Sequence, residues 1–139
     1  SVVYWSRSGN TLAMAEAIGK GITDGGAQAE VVNVSSCQVS DLDTEEVFAL
    51  GCPAMGAEVL EESEMEPFVA ELEGNVKGKK IALFGSYGWG DGQWMRDWEE
   101  RMISAGATVV NGEGLICQEA PDGDVISECE SLGKQLAGM

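Results

Sequence analysis

The sequence of 139 residues contains no histidine. Histidine is the usual nitrogen ligand of zinc, haem and other transition metals, so its absence argues against such centres. The four cysteines are far apart and include no C-x-x-C pair, which gives no support for an iron–sulfur cluster. We therefore predict no metal site and reduced, mostly structural thiols. They are Cys37, Cys52, Cys117 and Cys129.

Basic residues are scarce. Eight Lys and Arg stand against 24 Asp and Glu, which gives a formal net charge of −16. A field of this sign repels nucleic acid and anionic membrane surfaces, so neither is expected as a partner. It speeds encounter with basic protein surfaces. A simpler effect of the same acidity is to keep a small protein soluble.

Long apolar runs are also missing. Hydrophobic residues make up 44% of the chain, but no run approaches the ~20 residues that a membrane-spanning helix needs. Residues 1–5 lack the basic region and the long apolar core of a signal peptide. We therefore expect a cytoplasmic, monomeric protein with a single domain and a single hydrophobic core over residues 1–139.

Short apolar runs alternate with helical periodicities along the whole chain. The runs are short enough for strands buried on both faces of a parallel sheet. They cover residues 2–5, 31–34, 47–50, 81–84 and 108–110, and residues 114–116 are expected to extend the last strand.

Apolar residues at helical spacing predict four helices, around residues 14–22, 65–72, 94–102 and 125–136. Glycines at positions 25, 26 and 106 are expected to end the first and third of them. Residues 40–46 have room for only a short helix or turn. Because parallel strands need right-handed crossovers, this order predicts an α/β sandwich with helices on both faces of the sheet.

Ligands of such sheets bind at the carboxyl ends of the strands, near the point where the strand order reverses. The first of these loops has hydroxyl or amide side chains at four of six positions, whereas one helix cap needs only one. The following helix offers free N–H groups and the positive end of its dipole. Neither G-x-G-x-x-G nor G-x-x-x-x-G-K-[ST] is present. The pattern favours a phosphate cage made by Ser6, Arg7, Ser8, Gly9, Asn10 and Thr11.

Two further loops carry groups suited to a flat ring. After the third strand comes a turn with the thioether of Met55, which can pack on an aromatic face, followed by the carboxylate of Glu58. After the fourth strand, Tyr87 and Trp89 lie among glycines where no regular element buries them, so an indole can stack on a conjugated ligand. Ordinary loop packing is the plainer interpretation for each residue taken alone.

Three other tryptophans are expected in the core: Trp5 at a strand end, and Trp94 and Trp98 four residues apart on a helix. The three loops together predict a phosphate site and an aromatic lid at one sheet edge. FMN carries a phosphate at one end and a conjugated ring at the other, and it is the natural candidate ligand.

Three motifs resemble those of the flavodoxin family, specifically its short-chain members from anaerobic bacteria. They are V-Y-W-S-R-S-G-N-T at 3–11, L-G-C-P-A-M-G at 50–56 and L-F-G-S-Y-G-W-G at 83–90. The resemblance implies a flavodoxin-like three-layer sandwich with a five-stranded parallel sheet in the order 2-1-3-4-5. It also implies a low-potential one-electron carrier, not an enzyme, that holds one FMN non-covalently and shuttles between semiquinone and hydroquinone for redox enzymes.

The resemblance further implies roles for individual residues. Residues 6–11 would wrap the phosphate, Met55 and Trp89 would flank the isoalloxazine ring, and Glu58 would accept a hydrogen bond from the ring N3–H. The Gly56 carbonyl would turn toward N5–H after reduction, because glycine reaches positive φ at little cost. The remaining positions expected to contact FMN are Pro53, Ala54, Ala57, Ser86, Tyr87, Gly88 and Gly90.

Arg7 and Ala57 depart from the commonest form of the family, which frequently has Gly at the first position and a small polar residue at the second. Residues 58–76 include seven Glu and no Lys or Arg. This run is either a solvated helix face or a surface that steers a basic redox partner.

Two other functions fit the same fold class. An FMN-dependent NAD(P)H quinone reductase needs space for a second substrate over the ring, and Trp89 is expected to cover that space. A flavin-free receiver domain needs a phosphoacceptor Asp after the third strand and a Lys after the fifth. Cys52 and Cys117-Gln118 stand at those places instead.

Overall fold

A computed structural model describes residues 1–56 and 58–139. Strands and helices alternate along these residues as the sequence predicts, with short 3₁₀ turns between some of them. The strands are β1 (Val2–Tyr4), β2 (Val31–Asn33), β3 (Val47–Gly51), β4 (Lys80–Tyr87), β5 (Thr108–Val109) and β6 (Leu115–Gln118). The helices are α1 (Asn10–Asp24), α2 (Met65–Leu72), α3 (Gln93–Ser104) and α4 (Gly123–Ala137).

All strands run parallel in one sheet of order β2-β1-β3-β4-β5, and β6 also pairs with β4. The predicted order 2-1-3-4-5 is therefore confirmed. The central strands are buried on both faces, as their continuous apolar runs require: Phe48–Gly51 and Ile81–Ser86 are buried without interruption.

The fifth strand position is split into two segments, a feature that the sequence did not predict. Val109 pairs with Ile81 and Leu115 pairs with Phe84. Residues 110–114 therefore loop out opposite residues 82–83. The excursion begins with a turn in which Asn111 has a φ of 64°, a conformation that Asn tolerates better than most residues.

Two separate apolar layers cover the sheet. One contains buried residues of α2 and α3, among them Phe68, Trp94 and Trp98, and we call it the α2–α3 layer. The other contains buried residues of α1 and α4, among them Ile18 and Leu132, and we call it the α1–α4 layer. The expected core positions of the two helical tryptophans are confirmed.

Helices α1 and α4 approach each other so closely that glycine is required at their contact. A Cβ atom on Gly133 would lie 2.1 Å from the Ile18 carbonyl oxygen, and one on Gly21 would lie 2.0 Å from the Glu130 carbonyl oxygen. Neither carbonyl can yield without moving its helix, so these contacts fix how the two helices pack.

Five of the seven Glu residues in the acidic run accept hydrogen bonds, and three of these, Glu61, Glu66 and Glu73, hold α2 in place. The Arg101 guanidinium on α3 binds both carboxylate oxygens of Glu66 and also bonds to Glu73, which ties α3 to α2. The Glu61 carboxylate is 6% exposed and accepts hydrogen bonds at the start of α2. Of the seven, Glu62, Glu64 and Glu71 are exposed and are therefore available for steering.

None of the helices that the structure describes has the length and apolar character needed to cross a membrane.

Candidate functional site

The three loops singled out in the sequence meet at the carboxyl edge of the sheet. The strand register places Tyr4 beside Gly51 and Gly51 beside Phe84, so the chain leaves β1, β3 and β4 at the same edge. Between these loops lies a cavity of about 320 Å³, which we call the strand-end cavity. Ten of the seventeen predicted positions line it: Arg7, Ser8, Asn10, Pro53, Ala54, Met55, Gly56, Ser86, Tyr87 and Gly88.

The loop between β1 and α1 is folded around one hydroxyl group. The Ser6 Oγ accepts the N–H groups of Gly9 and Leu12, both at 3.2 Å, while Gly9 adopts a φ of 94°. The backbone N–H groups at positions 7, 8, 10 and 11 find no acceptor among the residues that the structure describes. Unpaired N–H groups at a helix N-terminus form a ready anion site. Loop geometry and the Arg7 cation thus suit a phosphate.

Thr11 has a different environment from the rest of this loop. Its side chain is 1% exposed, and its Oγ1 lies 3.1 Å from the Oγ of Ser86, which is 5% exposed. This buried pair connects the first turn of α1 to β4. Among the predicted cage residues, Thr11 therefore turns its hydroxyl toward the sheet.

The loop after β3 forms a tight turn. Met55 and Val59 exchange two backbone hydrogen bonds of 2.9 and 3.0 Å, so Gly56 and Glu58 lie in the tip of the turn. Gly56 has a φ of 45° and Glu58 a φ of 57°, and the latter is an uncommon conformation for a side chain of this size. Ala57, which was predicted to contact the ligand, lies outside the described residues.

Both stems of this turn are fixed to the core. The Trp94 indole N–H donates to the Cys52 carbonyl at 3.1 Å, and the Ala54 N–H donates to the Ser86 carbonyl at 3.0 Å. The Cys52 sulfur accepts the Glu61 N–H at 3.4 Å. Burial raises the pKa of the Cys52 thiol to about 12, so this cysteine is a packing group and not a nucleophile.

The loop after β4 holds its two aromatic residues in different environments. Tyr87 packs against Trp94, with ring centroids 5.6 Å apart, and lines the cavity. Trp89 is 64% exposed and does not line the cavity. Trp5, expected in the core, is half-buried against the α2–α3 layer, and its indole N–H donates to Glu64 at 3.3 Å.

Glu58 connects the β3 turn to this aromatic loop. Its Oε1 accepts the Asp91 backbone N–H at 3.2 Å. Arg96 holds Asp91 in turn, with donors 3.0 Å from the Asp91 carbonyl and from its carboxylate. The predicted positions that do not line the cavity, although described, are Ser6, Gly9, Thr11, Glu58, Trp89 and Gly90.

Glu119 is a cavity-lining residue that the sequence analysis missed. It follows β6, has a φ of 60°, and donates its N–H to the Tyr87 carbonyl at 2.7 Å. The pairing of Tyr87 with Gln118 brings the end of the fifth strand position to the same edge. The rule that ligands bind at strand ends applies to this loop as well as to the three loops after β1, β3 and β4.

A larger cavity of about 800 Å³ lies between α3 and α4, beside the split strand position. None of the predicted positions that the structure describes lines it. The smaller cavity has the better chemistry for a phosphorylated ring, because it combines unpaired N–H groups and a cation at one end with a thioether and an aromatic side chain at the other. The residues present therefore fit FMN.

The sequence model of the family described as Flavodoxin matches residues 2–132. The chain belongs to the flavodoxin family. It is 51% identical over 138 residues to a flavodoxin of Clostridium beijerinckii, covering 99% of each chain. It is 46% identical over 136 residues to a flavodoxin of Megasphaera elsdenii, covering 98% of this chain and 96% of the other.

Solved structures agree with this assignment. The solution structure of two-electron reduced Megasphaera elsdenii flavodoxin superimposes with a TM-score of 0.91 at 46% identity, over 99% of this chain and 98% of that one. A flavodoxin from the domain Archaea superimposes with a TM-score of 0.87 at 34% identity, over 99% and 94% of the two chains. The predicted family is confirmed, and with it an FMN-binding electron-transfer protein rather than an enzyme. The quinone reductase alternative is not supported.

Proposed function

We propose that the strand-end cavity holds the FMN, with its phosphate on the loop between β1 and α1 and its ring between the other two loops. The unpaired N–H groups at positions 7, 8, 10 and 11 support the phosphate position. This is the observation that carries the proposal, because phosphate oxygens satisfy such donors directly. The Ser6 hydroxyl shapes the loop from inside by accepting two of its N–H groups.

The ring end is formed by side chains from the other two loops. Met55 and Tyr87 line the cavity, and we expect the indole of Trp89, which is exposed, to cover the outer ring face. Glu58 offers a carboxylate to the ring N3–H, and the Gly56 peptide offers a carbonyl that can reorient because glycine tolerates both signs of φ. Bound FMN supplies the one-electron chemistry, and the chain binds it, orients it and shields it from water.

The phosphate assignment is tested by comparing FMN with riboflavin, which lacks the phosphate. We expect FMN to bind at least ~100-fold more tightly, because several charge-assisted hydrogen bonds are lost with riboflavin. Quenching of flavin fluorescence measures both dissociation constants. Arg7→Ala should weaken FMN binding and leave riboflavin binding unchanged. Lys20→Ala, which removes the same charge near the other end of α1, should change neither, and equal affinities for the two flavins would contradict the proposal.

We further propose that the protein docks basic surfaces of redox enzymes through exposed acidic side chains at the carboxyl edge of the sheet. Glu62, Glu64 and Asp91 are exposed, Glu64 accepts the indole N–H of Trp5 just after β1, and Trp89 and Val59 add exposed apolar surface. An exposed apolar centre with a charged rim is typical of transient protein interfaces. The chain's net charge of −16 opposes self-association, which supports a monomer. Four unpaired cysteines among the described residues suit the reducing cytoplasm.

The docking surface is tested with two triple variants of equal charge change. Glu62→Gln, Glu64→Gln and Asp91→Asn neutralise the proposed surface. Exposed Glu30, Asp43 and Glu46 lie toward the amino ends of the strands, and their neutralisation is the control. We expect electron transfer to a basic partner to slow and to lose most of its salt dependence only in the first variant. Stopped-flow rates at several ionic strengths measure this, and size-exclusion chromatography measures the oligomeric state.

A further inference from the structure

The Met55–Val59 turn and the loop that carries Trp89 are separate in sequence but joined by one side chain. Glu58 reaches across from the turn, and its Oε1 accepts the Asp91 backbone N–H at 3.2 Å. The turn otherwise depends on its own two backbone hydrogen bonds and on its stems. Among the described residues, the hydrogen bond from the Asp91 N–H to the Glu58 carboxylate thus joins the tip of the turn to the loop that carries Trp89.

Gly90 provides the space for this contact. A Cβ atom at position 90 would lie 2.2 Å from Glu58 Oε1 and 2.5 Å from Cδ. The residue also has a φ of 89°, which favours glycine. A side chain at position 90 would fit only if the Glu58 carboxylate moved away. Neighbouring Gly88 has no atom within 4 Å of a Cβ. The close approach is therefore specific to the position that faces the carboxylate.

The loop end of the contact is held in place from α3. Arg96 donates to the Asp91 carbonyl and carboxylate, and also to the Gln93 side chain at 2.9 Å. These interactions are exposed and individually weak, but together they fix the peptide whose N–H faces Glu58. One carboxylate oxygen is engaged with Asp91, and the other oxygen has no partner among the described residues.

We propose that the Glu58 carboxylate, which lies against the α-carbon of Gly90, holds the Met55–Val59 turn and the loop that carries Trp89 in a fixed relative position. Gly90 is then a positioning residue for the ring site. The same carboxylate can then accept from Asp91 with one oxygen and from a ring N–H with the other. The loop contact orients the carboxylate before the ligand arrives, which lowers the entropic cost of binding. The role toward the ring rests on the proposed FMN site, whereas the contact between the loops does not.

The loop contact is tested first in the protein without flavin. Amide hydrogen exchange, followed by NMR, reports on the Asp91 N–H. We expect Glu58→Ala to speed its exchange about threefold or more, as loss of one hydrogen bond predicts. Glu58→Gln keeps an acceptor oxygen and should retain most of the protection. Glu62→Ala removes an exposed neighbouring charge and should change nothing. Equal exchange in the wild type and Glu58→Ala would overturn the proposal.

The positioning role is tested by a double-mutant cycle on the FMN dissociation constant. We expect Gly90→Ala to weaken binding about tenfold in the wild-type background, because the new methyl group displaces the carboxylate. In the Glu58→Ala background the same change should cost about threefold or less, because only the backbone strain remains. Equal effects in both backgrounds would overturn the positioning role. Failure of the wild type to bind FMN would refute the proposed function instead, and the exchange experiment would still decide whether the loop contact exists.

Discussion

Replacing Glu61 by Gln removes one charge from a side chain that is 6% exposed. One carboxylate oxygen accepts the Ser63 N–H at 2.8 Å together with the Ser63 hydroxyl. The other accepts the N–H groups of Glu64 and Met65 at 2.8 and 3.0 Å. These donors lie in the two residues before α2 and in its first residue, so Glu61 caps that helix from the preceding turn.

A glutamine amide has only one acceptor oxygen. If that oxygen serves the N–H groups of Glu64 and Met65, the NH₂ group can donate to the Ser63 hydroxyl, but the Ser63 N–H is left without an acceptor. Leaving one buried donor unpaired costs about 1–3 kcal/mol. For a chain of this size we expect a fall in melting temperature of roughly 3–9 °C.

The pH dependence gives a second, independent readout. Burial acts to raise the pKa of Glu61, but the hydrogen bonds from Ser63, Met65 and Glu64 outweigh it, and the net shift is downward. A carboxyl with a lowered pKa in the folded state stabilises the protein above its unfolded pKa of about 4.3. That stability is lost as the pH falls through the lower, folded pKa. The difference between wild type and Glu61→Gln should therefore shrink progressively below about pH 4.

Urea unfolding of the flavin-free protein, followed by tryptophan fluorescence, measures both effects. Glu62→Gln is the matched control, because it makes the same chemical change at the next, exposed position. We expect the control to change the free energy of unfolding by less than about 0.5 kcal/mol. If Glu61→Gln behaves like the control at pH 7, or if its deficit does not change as the pH is lowered, the capping role is refuted.

Two other pairs of variants test the core. The Trp98 indole N–H is buried and has no acceptor within the described part of the chain, whereas that of Trp94 donates to Cys52. We expect Trp94→Phe to lower the free energy of unfolding by ~1–3 kcal/mol more than Trp98→Phe, and the reverse order in urea unfolding would contradict this. Gly133→Ala places a methyl group 2.1 Å from an α1 carbonyl and should cost about 1–3 kcal/mol. Gly123→Ala meets open space at the start of α4 and should be neutral or stabilising, so equal thermal shifts for the two would refute the packing argument.

Much of the fold could be predicted because the apolar residues follow the period of each element. The four helices and the strand runs lie where that period places them. The interruption of the fifth strand position could not be predicted, because residues 108–116 read as two short apolar runs whether or not the chain loops out between them. Its cause is a local turn at Asn111 and Gly112, which alternation of apolar residues does not encode.

The candidate site, like the fold, could be predicted only in part. Loop composition indicated the phosphate end, and aromatic side chains among glycines indicated the ring end. The buried pairing of Thr11 with Ser86 and the reach of Glu58 to Asp91 depend on tertiary contacts between residues 75 and 33 positions apart. Loop composition alone carries no information about such partners. Glu119 could have been found by applying the strand-end rule to every strand.

The two apolar layers have a consequence for how such a carrier can evolve. The phosphate loop leads into α1, which belongs to one layer, whereas the ring loops lead into α2 and α3, which belong to the other. Substitutions in layers that share few contacts combine nearly additively. Selection can therefore alter the packing behind the β1–α1 loop and the packing behind the other two loops largely independently, so that the two ends of the proposed FMN site are separately adjustable.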